Sequence, residues 1–137
     1  MSLLVLSASD VDSITSTLLP DELATLMAVV FNGLSSAQGV WSPHRTSVQM
    51  SNHRVLFMPS RIEGVGTAIK AVSVPARDDA PLDLPIGLPA STLVMDEVTG
   101  SVKAIVNTRR LTAIRTAAGK IFHFRRLIFR TLTRVYN

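Results

Sequence analysis

The alternation of apolar and polar positions divides the chain into a helical beginning, a strand-rich middle and a helical end. Leu3 to Leu6 is a short apolar run that stops at Ser7 and reads as a strand followed by a short helix. Ser7 or Ser9 can cap a helix whose first turn carries Asp10 and Asp12, at the end of the helix dipole that favours acids. Pro20, Asp21 and Glu22 open a second helix, in which Leu23, Leu26, Met27, Val30, Phe31 and Leu34 recur at spacings of three and four, so one face is expected to be buried. Beyond Gly39 the period changes to two. Thr46 to Met50, His53 to Met58, Gly66 to Val74, Ser91 to Met95 and Ser101 to Val106 have strand composition, punctuated by Ser51-Asn52, Glu63-Gly64 and Thr99-Gly100. Arg77 to Pro89, rich in proline and aspartate, is expected to be a loop long enough to bind something or to meet a subunit. After Asn107 the helical pattern returns, with Leu111, Ile114, Ala117 and Ala118 on one side.

These elements predict an α+β domain. Two N-terminal helices pack on a mixed, mainly antiparallel sheet built from about residues 45 to 107, and a long final helix starts near Arg109. No complete Rossmann domain is expected, because the glycines at 64, 66 and 87 stand in no Gly-x-Gly-x-x-Gly pattern.

Composition narrows the chemistry. With 137 residues, 47% hydrophobic and 18% charged, the chain can bury a moderate core. It has no cysteine, which excludes disulfides, thiolate metal sites and cysteine nucleophiles and permits a reducing, cytoplasmic setting. The N-terminus reads neither as a secretory signal nor as a membrane span. The net charge of +4 is unevenly spread: residues 1–119 hold nine basic and ten acidic side chains, while 120–137 hold five basic ones and no acid. Nucleic-acid binding is therefore not expected of the domain. The tail, 120–137, reads as a basic amphipathic helix. It is open to three readings: a segment foreign to the domain, as an unspliced or frame-shifted reading would give, a helix covering the sheet, or one meeting an anionic surface.

Three basic side chains stand where strands or a helix start could aim them at one cavity: Arg45, Lys70 and Arg115. Lys70 is flanked by Ile69, Ala71 and Val72, so it either faces water or sits paired in a site. Arg115 lies between small residues suited to close helix packing, where a surface arginine is equally admissible. His44, His53 and His123 are scattered, with no metal-ligand spacing, and Asp10, Asp12, Asp21 and Glu22 are accounted for by helix starts. No motif for catalysis by the chain's own side chains is present.

The stretches PHRTSVQM, VLFMPS, AIKAVSVPA, GLPASTLVMDEVTGSVKAIV and RRLTAIRTAAG occur in this order across residues 1–119. They resemble successive signature segments of the ornithine cyclodeaminase/mu-crystallin family. The resemblance implies that Arg45, Lys70 and Arg115 hold an amino- or imino-acid α-carboxylate, and that Met58, at the methionine-proline step, lines the same pocket. Charge-assisted, forked donors suit such a group. Where the family has Asp-Gly or Asp-Ala, this chain has Asn107-Thr108. The family's NAD or NADP accepts or donates a hydride at the α-carbon, in cyclodeamination, ketimine reduction or alanine oxidation, and its members form dimers through the sheet domain.

The resemblance stops at about Gly119, ahead of the strand and glycine-rich turn that begin the family's nucleotide-binding domain. The expectation is a truncated member, inactive alone, with no cofactor bound by this chain and no catalytic residue of its own. The alternative is a non-enzymatic amino-acid-binding or dimerisation module that pairs with itself or with a full-length relative.

Overall fold

The computed structural model describes residues 2–36, 38–76 and 87–120. The expected tail, and all but the last three residues of the Arg77–Pro89 loop, lie outside the described residues.

Strand β1 (Leu4–Leu6) leads through Ser7 into α1 (Ala8–Ser16). Ser7 is the cap: the Asp10 amide donates to its hydroxyl, and Asp10 returns the favour by accepting from the Ser7 amide at 2.8 Å. A capping box of this kind satisfies donors that the first turn would otherwise leave open, typically stabilising by about 1 kcal/mol. These bonds hold the Asp10 carboxyl below the ordinary aspartate range, the Ser7 hydroxyl being the larger cause. The chain then bends by 104° into α2 (Pro20–Ser36), where the Leu19 amide donates to Glu22 at 2.9 Å. No single helix among the described residues is long and apolar enough to cross a membrane.

The middle is a seven-stranded sheet. Its remaining strands are β2 (Val40–Trp41), β3 (Thr46–Gln49), β4 (His53–Ile62), β5 (Gly66–Pro75), β6 (Ala90–Met95) and β7 (Val102–Asn107). The order is β1-β7-β6-β5-β4-β2, with β3 also paired to β4. Every pairing is antiparallel except β1 with β7, so the sheet is mixed and mainly antiparallel, as the sequence predicts. The tight connections also fall where expected, with Gly64 (φ 75°) between β4 and β5 and Gly100 (φ 69°) between β6 and β7, conformations that other residues rarely adopt.

The sheet is wider than residues 45 to 107, because β1 and β2 add a strand at each side. Strand β4 also runs past Met58 through Pro59 to Ile62. Pro59 falls between the part of β4 paired with β3, which reaches Phe57, and the part paired with β2, which starts at Arg61. On that side no ladder bond is present for its missing N–H to break, which is where a strand tolerates proline. The short β2 is held from the side as well: Arg61 stacks on Trp41 at 4.8 Å and bonds Glu97 at 2.8 Å, and Glu97 accepts a further bond from the Thr67 hydroxyl.

Residues 111–120 form a third helix, α3. Its entry is set by Asn107, whose side chain accepts from the Arg109 amide at 3.2 Å, and by Thr108, buried and bonded to Thr92 at 3.1 Å. The Asn107-Thr108 pair thus makes a polar, satisfied turn into the helix. All three helices contribute to one face of the sheet. On that face Val11, Ala24, Val72, Ala90, Ala104 and Ala118 form a small core of mostly short side chains.

Candidate functional site

Side chains alternate across a strand, and register decides which of them share a face. Met58 pairs with Lys70 across β4 and β5, and Lys70 pairs with Thr92 of β6. This row lies on the helix side. There it floors a cleft of about 1850 Å³ between the sheet and the three helices, open to solvent. The segment before β3 brings Arg45 to the same cleft, and α3 brings Arg115. All four residues singled out in the sequence, Arg45, Met58, Lys70 and Arg115, therefore line one concavity.

Lys70 is the best-defined of them. It is half-buried, and its Nζ donates to the Thr112 hydroxyl at 2.6 Å. Burial pushes its ammonium below the ordinary lysine range, and the nearby positive charge of Arg115 adds to the shift. Two cations close enough to repel each other in one cleft are an arrangement that an anion between them relieves. Thr112 and Arg115 sit three residues apart on α3 and so project from neighbouring positions on its surface. Thr112 had no mark in the sequence, since an uncharged threonine among small helical residues carries no signal. Its role emerges only when α3 is laid over β5.

Three further charges of the cleft, Arg109, Arg110 and Asp12, are committed elsewhere. Arg109 donates to the Gly87 carbonyl at 2.6 Å, which fastens the start of α3 to the chain entering β6. Arg110 bonds Asp12 of α1 at 2.9 Å, so Asp12 ties two helices together besides standing in a favourable first half of α1. Among the described residues, no group of three His, Asp or Glu side chains could hold a metal ion.

Among the described residues a single strand pair is parallel. The one parallel strand pair, β1 with β7, is separated by the whole sheet rather than by a single crossover helix.

The sequence matches no family model and no curated protein. Solved structures do match. The chain superposes on an archaeal alanine dehydrogenase dimer with bound NAD, at a TM-score of 0.67 and 18% identity, which shows the fold. It is 27% identical to the Thermococcus litoralis Δ1-pyrroline-2-carboxylate reductase in complex with NADH and L-proline, with a TM-score of 0.69. A lysine cyclodeaminase, described for its recognition of L-lysine, L-ornithine and L-2,4-diaminobutyric acid, matches at 26% identity and a TM-score of 0.66. Each match covers 86% of this chain and 35–36% of the neighbour, so the chain spans about a third of the length of these enzymes. The chain thus shares its helices and mixed sheet with three solved structures of the ornithine cyclodeaminase/mu-crystallin fold family.

Proposed function

We propose that this chain is the amino-acid-binding domain of an NAD- or NADP-linked amino-acid dehydrogenase, imine reductase or cyclodeaminase, and that its own task is to hold the substrate's α-carboxylate with Arg45, Lys70 and Arg115. The observation that carries this reading is the convergence of the three cations on one cleft, with Lys70 destabilised as an ammonium by burial and by Arg115. Met58, beside Lys70 in the register, forms part of the wall against which the substrate rests. A carboxylate between these donors is oriented as well as held, because a guanidinium fork fixes direction where an ammonium gives only a point of charge. The chain alone binds and positions; hydride chemistry belongs to a nicotinamide carrier that these residues do not seat. We assign it to the cytoplasm, a reducing setting in keeping with the absence of cysteine.

Lys70 supplies the test. Its ammonium is needed to hold the anion, and its pKa in the empty cleft lies below the ordinary lysine value. Binding of a simple carboxylate without an amine, such as butyrate, should therefore be strongest near neutral pH. It should weaken as pH rises through the depressed Lys70 range, before the ordinary lysine value of 10.5 is reached. The empty protein should show the opposite trend. In the same window the unfolded chain binds the proton more firmly than the folded one, so stability rises with pH. Calorimetric titration across this range, beside Lys70→Met, checks both signs. Binding that is indifferent to pH in the unmutated chain would sink the assignment of Lys70.

A second reading, dimerisation, draws on the other face of the sheet. Pro59, Ile69, Leu93, Ile105 and Val5 lie in one row across five strands, with Phe57 alongside, on the side away from the three helices. A strip about 20 Å wide follows from the spacing of strands, and Val5 is 63% exposed. Pairing of two copies through this face would cover it, and the archaeal alanine dehydrogenase neighbour is a dimer. Phe57 is exposed enough to be changed without hollowing the core. Phe57→Ser is thus expected to shift a dimer toward monomer in sedimentation while the helical and strand content of the circular dichroism spectrum is retained. A monomeric unmutated chain at high concentration refutes the dimer reading.

A further inference from the structure

We propose that the cleft is built for an amino or imino acid whose side chain is apolar and carries no ammonium, and that it discriminates against diamino acids. The inference rests on reading Arg45, Lys70 and Arg115 as the carboxylate clamp and adds the class of side chain that the clamp presents to the walls.

The walls on both flanks of the clamp carry the argument. On one side of the Met58–Lys70 pair the next residues on the same face are Leu56 and Val72, opposite each other in the register, with Val74 and Leu88 beyond. On the other side come Ser60 and Ile62, then Val40, with Val30 and Leu34 of α2 closing the end. Along either of these flanks a side chain leaving a clamped carboxylate meets aliphatic groups and the Ser60 hydroxyl.

Charge points the same way. Arg45, Lys70, Arg109, Arg110, Arg115 and Lys120 all border the cleft, whereas Asp12 is the only carboxylate among the described residues that does so. Asp12 is taken up by Arg110 at 2.9 Å. Among the described residues a distal ammonium would thus leave water for a wall without a free carboxylate, near several cations, and the cost falls on the ligand that carries it. An aliphatic side chain of the same length loses nothing by that transfer and gains from burial.

The test is calorimetric titration of the full 137-residue chain with L-norvaline and L-ornithine, which share chain length and differ in the terminal ammonium. Norvaline is expected to bind at least about tenfold more tightly, the scale on which such pockets discriminate. Leu56→Glu, which places a carboxylate beside Met58, should narrow or invert the preference. Ser60→Asp on the opposite flank serves as a second variant where Leu56→Glu disturbs folding. Arg115→Ala separates the two layers of the argument. If ornithine binds the unmutated chain as tightly as norvaline and Arg115→Ala weakens both, the clamp stands and the side-chain inference is overturned. If neither amino acid binds, or Arg115→Ala weakens neither, the clamp fails and the inference fails with it.

Discussion

Replacing Arg115 by alanine is expected to weaken binding of an amino-acid carboxylate by between about tenfold and a hundredfold. A hydrogen bond to a charged partner typically contributes about 1.5–3 kcal/mol, and about 1.4 kcal/mol corresponds to a factor of ten. Arg115 is exposed on α3, so solvent screening favours the lower end of that range. The substitution also has an effect that simple damage to the helix would not give. Arg115 holds Lys70 down by charge repulsion, so without it the Lys70 ammonium becomes more stable. The pH at which residual binding is lost should therefore move upward in Arg115→Ala, while Arg115→Lys, which keeps the charge but not the fork, should lose affinity and leave that pH nearer its original position. Titration of the two variants over a range of pH reads both effects. Unchanged affinity in Arg115→Ala would remove this arginine from the site.

The second large effect is an absence of turnover. Purified chain supplied with NAD or NADP and with alanine, ornithine or a cyclic ketimine should show no change in nicotinamide absorbance, even at high protein concentration. Hydride transfer requires the nicotinamide to be held against the substrate's α-carbon. Positioning of that kind can account for about 7–11 kcal/mol of barrier lowering, a factor of 10⁵ or more. Within these 137 residues there is no Gly-x-Gly-x-x-Gly turn, and among the described residues no strand–helix–strand unit receives a dinucleotide. Carboxylate binding and turnover are thereby separable, and a chain that does the first should not do the second. Clear turnover abolished by Arg115→Ala would show that the clamp and the carrier site reside in the same 137 residues.

Much of this architecture was legible in local pattern. Period-two stretches gave five strands to within a few residues, because one face of the sheet is lined by helices and the other is less covered, and alternation records that difference. The helices announced themselves by Ser7, Pro20 and the spacing of apolar residues. Pro59 misled the reading of β4, since the sequence cannot say that the neighbouring strand is interrupted opposite it. The two-residue β2 is too short for any period to register. The place of β1 was hidden for another reason: its partner is about 100 residues away, and nothing in Leu4–Leu6 names it.

The candidate site divides in the same way. A lysine inside the apolar strand Gly66–Pro75 is a local anomaly and draws notice by itself. Arg45 and Arg115 stand out by resemblance rather than by any local oddity. Thr112, Leu56 and Val72 carry no such mark, as a threonine in a helix and aliphatic residues in strands are what those elements ordinarily contain. Only the crossing of α3 over the β4–β5 pair turns them into a wall and an anchor.

The pairing of β1 with β7 also dictates a sequence of events in the life of the chain. Strands β3 to β7 each pair with the next in sequence and can zip up hairpin by hairpin. Leu4–Leu6, by contrast, are made first and must wait for Ala104–Val106 before their backbone groups find partners. Loop-closure entropy makes such a contact late, and long-range pairing slows folding. On a ribosome the N-terminal strand would emerge early and remain unpaired until nearly all of the sheet had followed, with α1 and its self-contained Ser7–Asp10 cap free to form meanwhile. In native-state hydrogen exchange the amides of β1 should open before those of its neighbour β7 and of β4 to β6, since the last strand to join is held by three residues at an edge.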